Sequence, residues 1–258
     1  MIKVPDFGIG VADCSQLKSL LEKQDIFLLE ISGAQLEEAV EFQSRSGAQE
    51  KSWFVRELCP ARVMGELPEA SLAVKRDFLR FAGAKLESMA ALSAERLLFR
   101  VDVARCKVDS GYFAGMKNIL LNCCAMAERH HIRCGIEARI PGNFVSEAAD
   151  YLKFRRDVGY PLYLQYDFHI HEPGSFEALE MLIPQLAFDR DGWRISFDMQ
   201  SGNYLNIKML QKFLRHVRPG SWESPYVIFS PGAGAAESDI IELERLWESA
   251  VVPEQEAQ

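Results

Sequence analysis

Apolar and polar positions alternate along this chain at two different periods. In YPLYLQYDFHIHEPG (160–174), Leu162, Leu164, Tyr166, Phe168 and Ile170 interleave with Tyr163, Gln165, Asp167, His169 and His171. One set is apolar or aromatic, the other polar or ionisable. Strict period two marks a strand whose faces meet different surroundings. In MKNILLNCCAMAE (116–128) the apolar residues recur at three- and four-residue steps, the pattern of a helix packed on a sheet.

The two periods take turns eight times. The strand candidates are KVPDFGIGV (3–11), DIFLLEIS (25–32), SWFVREL (52–58), RLLFRVDV (96–103), IRCGIEARI (132–140), PLYLQYDFHI (161–170), GWRISFDMQ (192–200) and SPYVIFS (224–230). A helical pattern follows each. Strands alternating with helices predict a parallel sheet, and eight units in this length predict a single-domain (β/α)8 TIM barrel over residues 1–250, with 251–258 as a C-terminal tail. A doubly wound open sheet is the alternative. GIGVAD (8–13) is only a weak echo of a dinucleotide fingerprint, so no nucleotide cofactor is expected.

A barrel gives the polar strand faces a meaning. Trp193, Ile195, Phe197 and Met199 alternate with Arg194, Ser196, Asp198 and Gln200; Arg100 and Asp102 share a face of strand four, and Glu137 and Arg139 share one of strand five. Glu30 sits between Leu29 and Ile31 in strand two. A solvated edge explains one such strand, and a closed barrel has no edge. Ionised groups inside a barrel must be paired or ligated. Two readings remain open: a lattice of Arg100, Arg139 and Arg194 with Asp102, Glu137, Asp167 and Asp198, or a ligand site at the C-terminal mouth.

Composition narrows the partners. The chain has 258 residues, 48% hydrophobic and 26% charged, with a net charge of −8. That charge disfavours nucleic acid, and no Lys/Arg-rich run offsets it. No apolar run reaches the roughly 18 residues of a membrane span, and the N-terminus lacks a signal-peptide core. Cys14, Cys59, Cys106, Cys123, Cys124 and Cys134 form no CxxC pair and read as buried thiols. The expectation is a cytoplasmic protein, with homo-oligomer formation left open.

AMAERHHIRCGIEARIP (125–141) resembles helix four and strand five of the xylose isomerase-like barrels, the superfamily of sugar isomerases, epimerases and abasic-site endonucleases. ELCPARVMGELPEASLAVKRDFLRFAGAKLESMAALSAERLLFRV (57–101) is similar to the third and fourth units, so the resemblance spans about residues 26–170. It implies a sugar or sugar-phosphate isomerase or epimerase using a divalent metal, with Glu137 and Asp167 as ligands and as candidate catalytic bases. The family places a histidine three residues after its aspartate; here Ile170 holds that position, and the histidines are His169 and His171. Its strand-seven histidine is replaced by Asp198, and its strand-eight glutamate by Ser230.

Glu137, Asp167 and Asp198 would supply oxygen ligands, suiting Mg²⁺ or Mn²⁺. His169 adds a nitrogen that suits Mn²⁺ or Zn²⁺. Asp167 and His169 lie one pleat apart, about 7 Å between Cα atoms, so either one ion or a plain hydrogen bond can join them. The expected catalytic residues are Glu137, Asp167 and His169. Arg100, Arg139, His171, Arg194 and Gln200 are expected to hold substrate oxygens or phosphate. A metal-free barrel that binds a polar small molecule without turnover is the second reading. An endonuclease relative is the third, which the acidic charge opposes. SPGAGA (230–235) reads either as an anion-binding corner or as a capped turn, and PGN (141–143) and EPGS (172–175) as mouth loops.

Overall fold

The computed structural model describes residues 6–12, 14–21, 28–46, 51–140, 144–182, 192–197, 205–217, 226–231 and 237–251. Eight strands close in chain order into a parallel barrel: β1 (Asp6–Gly10), β2 (Leu28–Ser32), β3 (Ser52–Arg56), β4 (Arg96–Phe99), β5 (Arg133–Ile140), β6 (Tyr163–His169), β7 (Gly192–Ser196) and β8 (Tyr226–Ser230). Ten α-helices lie among the described residues: α1 (Cys14–Leu21), α2 (Leu36–Ser46), α3 (Ala61–Glu66), α4 (Leu72–Ala91), α5 (Val103–Val108), α6 (Ser110–Glu128), α7 (Phe144–Val158), α8 (Ser175–Leu182), α9 (Ile207–Val217) and α10 (Glu237–Val251). None of the helices described is long and apolar enough to cross a membrane. The chain divides into two compact units, one of Phe27–Ala138 and Ser146–Gln165, the other of Met1–Ile26, Arg139–Val145 and Tyr166–Gln258.

In the first of these units, β2 pairs with β3, β3 with β4 and β4 with β5, all parallel. Helix α4 buries Phe78, Ala82, Leu86 and Met89, one residue per turn, and packs beside α6. Ser71 caps α4 by accepting from the Val74 N–H. The opposite strand faces carry polar groups, each with a partner. Arg96, only 2% exposed, lies between two rings, 4.9 Å from the Phe54 centroid and 5.0 Å from that of Tyr163. Tyr163 covers Gly135, where a Cβ would stand 2.7 Å from the ring, so only glycine leaves the ring its place. One pleat further along β6, the Gln165 amide donates to the buried Glu30 carboxylate at 2.6 Å.

The other unit carries an aromatic layer on the helix-facing side. Phe168 meets Phe176 of α8 edge-on and stacks on Phe213 of α9; Trp193 meets Tyr166 and Phe213; Phe229 meets Trp247 of α10. These are the apolar members of the period-two pattern. Their polar neighbours in sequence turn to the other face, which is why one strand is both a core element and a carrier of charge.

Strand four is shorter than its sequence pattern predicts. It stops at Phe99, and Asp102 does not continue a strand face alongside Arg100. Asp102 is exposed and caps α5, accepting from the Arg105 N–H at 2.9 Å. An aspartate three residues before a satisfied backbone donor serves a helix start better than a strand. Between β3 and α4 the chain also forms α3 and a 3₁₀ turn, Leu67–Glu69. Cys106, Cys123, Cys124 and Cys134 are buried thiols, and burial pushes Cys106 and Cys123 each up to about 12, leaving them inert at neutral pH.

Candidate functional site

Two polar clusters lie towards the C-terminal ends of the strands, one in each unit. The first is built on Glu137. Its carboxylate, on β5, is 7% exposed and accepts from Arg100 Nε at 2.9 Å. Arg100, just past β4, also reaches Glu57 Oε2 at 3.7 Å, so one guanidinium serves two carboxylates. Glu57 follows β3 with φ 55°, in the left-handed region a non-glycine residue rarely adopts. Its backbone is held from both sides: Gly33 N–H donates to its carbonyl at 2.9 Å, and its own N–H donates to the Leu98 carbonyl at 3.0 Å. Backbone strain held this firmly beside a charge cluster is characteristic of functional sites.

The second cluster is built on Asp167, which is 4% exposed on β6. Its Oδ1 accepts from the Ser196 hydroxyl, and its Oδ2 lies 3.2 Å from His169 Nε2. Burial alone would push this carboxyl up. The hydrogen bond to His169, the charge of Arg194 and the Ser196 hydroxyl together outweigh it and hold the group well below the usual carboxylate range. His169 is less enclosed, with 29% of its side chain exposed, so the pair presents an imidazole outward and keeps its carboxylate inside. The Ser175 hydroxyl, at the start of α8, donates to the His169 carbonyl at 2.8 Å and fixes the end of the strand.

The other expected residues are placed as follows. Arg194 is 0% exposed, a position from which its charge acts on Asp167. Arg139 is exposed near the end of β5, and His171 is half-buried in the turn after β6. Asp198, Gln200, residues 141–143 and most of SPGAGA lie outside the described residues. Sequence reasoning assigned no role to Glu57 or Ser196. Ser196 shares the parity of Arg194 and Asp198, the available signal; Glu57 was hidden inside an assumed longer strand three.

The closed (β/α)8 barrel is a fold shared with solved sugar epimerases and isomerases. The similar solved structures include a D-psicose 3-epimerase determined in the presence of D-fructose, at 15% identity, 95% coverage of each chain and TM-score 0.59. They also include the D-psicose 3-epimerase of Clostridium cellulolyticum with D-tagatose, at 13% identity, 95% of this chain, 96% of that chain and TM-score 0.61. A xylose isomerase domain protein from Planctomyces limnophilus matches at 10% identity, 96% of this chain, 97% of that chain and TM-score 0.58. No protein-family model and no curated protein sequence matches the chain.

The divalent metal that this resemblance implies needs several donors converging on one point. Among the described residues no group of three or more His, Cys, Asp or Glu side chains is gathered to hold one. Glu137 is already neutralised by Arg100, and Asp167 by its own hydrogen bonds and Arg194. Ser196 and Ser230, which end β7 and β8, offer hydroxyls in place of ionised ligands. The donors described do not fit a metal centre.

Proposed function

We propose that the protein is a sugar isomerase or epimerase whose proton transfer is carried by His169, positioned by Asp167. The observation that carries this reading is the 3.2 Å pairing of a half-exposed imidazole with a buried, ionised carboxylate at the end of a barrel strand. A carboxylate held this far below its usual range is a poor base but a good orienter. It fixes the ring and stabilises the imidazolium that forms when the ring takes a proton. In the reaction, neutral His169 removes the proton from the carbon beside the sugar carbonyl. The C–H electron pair becomes the C=C bond of an enediolate, and the carbonyl π electrons move to oxygen. Return of the proton to the neighbouring carbon, with the hydroxyl proton passing to the former carbonyl oxygen, isomerises the sugar. Return to the opposite face of the same carbon inverts that centre and needs a second proton carrier. No step is assigned to a metal, because the donors described do not fit one.

The Arg100–Glu137 ion pair favours a second reading, a barrel that binds a polar small molecule without turnover, since it fills with a side chain the charge a reactive centre would keep available. Proton exchange separates the two. Ketoses and aldoses incubated with the protein in deuterated buffer should gain deuterium beside the carbonyl, and His169→Gln should lower that rate by about 10²–10⁴. Sugar binding without any deuterium uptake would establish the second reading instead.

A further inference from the structure

A cavity of about 360 Å³ opens between α5, the first turn of α6 and the second half of α7, all within the unit of Phe27–Ala138 and Ser146–Gln165. Its volume is within the range of small-molecule sites. No residue of the two polar clusters lines it. Its floor is apolar: Val103, Cys106 and Phe154 are buried, and the half-buried Phe113 meets Phe154 edge-on with 5.7 Å between ring centroids. Val108, which lines the same cavity, is 82% exposed, an apolar side chain left to water at the mouth. The walls are tied to one another around this space. Lys107 of α5 binds Asp150 of α7 at 2.9 Å, and Lys117 of α6 donates to the Asp157 carbonyl of α7 at 2.8 Å. Protein interiors are otherwise packed to the density of organic crystals, so a space held open by its own ties is a place for a ligand. Walls ordered before binding lose little freedom when that ligand arrives.

The charged lining decides the ligand's class. It consists of two lysines, Lys107 and Lys153, and two aspartates, Asp150 and Asp157, and is neutral as a whole. Each lysine already holds a carboxylate, Lys107 at 2.9 Å and Lys153 at 2.7 Å. An anion entering here finds both cations engaged and two carboxylates repelling it, and a cation meets the mirror image of the same problem. An uncharged aromatic ring has neither difficulty. It buries apolar surface on Val103 and Phe154 and extends the edge-to-face packing of Phe113 and Phe154. Its negative π face attracts an ammonium that keeps its aspartate, so the lysines contribute without breaking a pair.

We propose that this cavity binds an uncharged aromatic small molecule of one or two fused rings, at a site separate from the Glu137 cluster. The proposal does not depend on the sugar reading. Titration calorimetry of the full chain with indole, indole-3-carboxylate and cyclohexanol tests it, together with hydrogen exchange in the presence of indole. Indole should bind saturably and several-fold more tightly than either the charged or the non-aromatic analogue. Exchange should slow in residues 103–110 and 150–157. Phe113→Leu keeps an apolar side chain but removes the ring, and should weaken indole several-fold. Val108→Trp, a change at an exposed position, sets a ring at the mouth and should compete with indole for the floor. Absence of saturable indole binding, protection confined to other segments, or equal or tighter binding of the carboxylate or of cyclohexanol would overturn the proposal. So would an indole affinity that neither variant moves.

Discussion

Asp167 and Glu137 are both buried carboxylates facing arginines, yet neutralising them has different consequences. Arg194, which acts on Asp167, is 0% exposed, whereas the side chain of Arg100, which binds Glu137, is 38% exposed. Asp167→Asn removes the buried negative charge on which Arg194, His169 and Ser196 all act, a loss of roughly 3–5 kcal/mol. Glu137→Gln leaves Arg100 with Glu57 and water, and the loss should stay near 1–2 kcal/mol. Urea unfolding of the two variants checks the order, and equal losses would contradict it. The depressed carboxyl of Asp167 also fixes a pH dependence. Its folded state holds the proton less tightly than the unfolded chain, where the value is about 3.9, so its contribution is full above that pH and fades as pH falls below it. The stability gap between wild type and Asp167→Asn should therefore shrink as pH falls from about 4 towards 3, as thermal unfolding across that range will read. The candidate residues on β6 were legible because period two exposes them. Which arginine meets which carboxylate was not, since Arg100 and Arg139 both satisfy the parity rule and only the fold selects Arg100 for Glu137.

At the scale of elements, the strands show how far a hydrophobic pattern reaches. All eight strand patterns contain the strand observed, because burial on one face imposes the alternation. The errors fall where local polar chemistry ends an element. Val101 and Val103 extend the alternation of strand four, but Asp102 between them starts α5 instead. A short helix held by one cap and two buried residues, Val103 and Cys106, carries too few periodic positions to stand out in a sequence. Asp102→Ala should destabilise by about 1 kcal/mol through loss of this cap. Hydrogen exchange confined to residues 103–109 is the expected signature. Inside the barrel, Gly135 is as restrictive as any large side chain. Gly135→Ala drives a methyl into the Tyr163 ring, which the stack of Phe54, Arg96 and Tyr163 holds in place, and should cost about 1–3 kcal/mol.

For the molecule as a whole, the barrel was legible because eight repeats of one pattern leave few other folds, whereas its chemistry depends on what neutralises its interior charge. The family resemblance implies that a divalent ion does so; the pairs described here do it with arginine, serine and histidine. These alternatives differ in a measurable way. A metal bound at a hundredfold excess over its dissociation constant stabilises the folded state by about 2.7 kcal/mol. For a chain of this size that raises Tm by roughly 5–11 °C. The expected result is that chelator, Mn²⁺ and Mg²⁺ leave the wild-type Tm within about 1 °C, because neither Glu137 nor Asp167 has charge to spare. Arg100→Gln removes the guanidinium that neutralises Glu137 and returns a carboxylate pair, Glu57 and Glu137, to open competition for a cation. A Mn²⁺-dependent rise in that variant alone would identify Arg100 as the group standing where a cation would otherwise bind. A rise of 5 °C or more in wild type, lost in Glu137→Gln, would restore the metal and show that the ion pair opens to admit it.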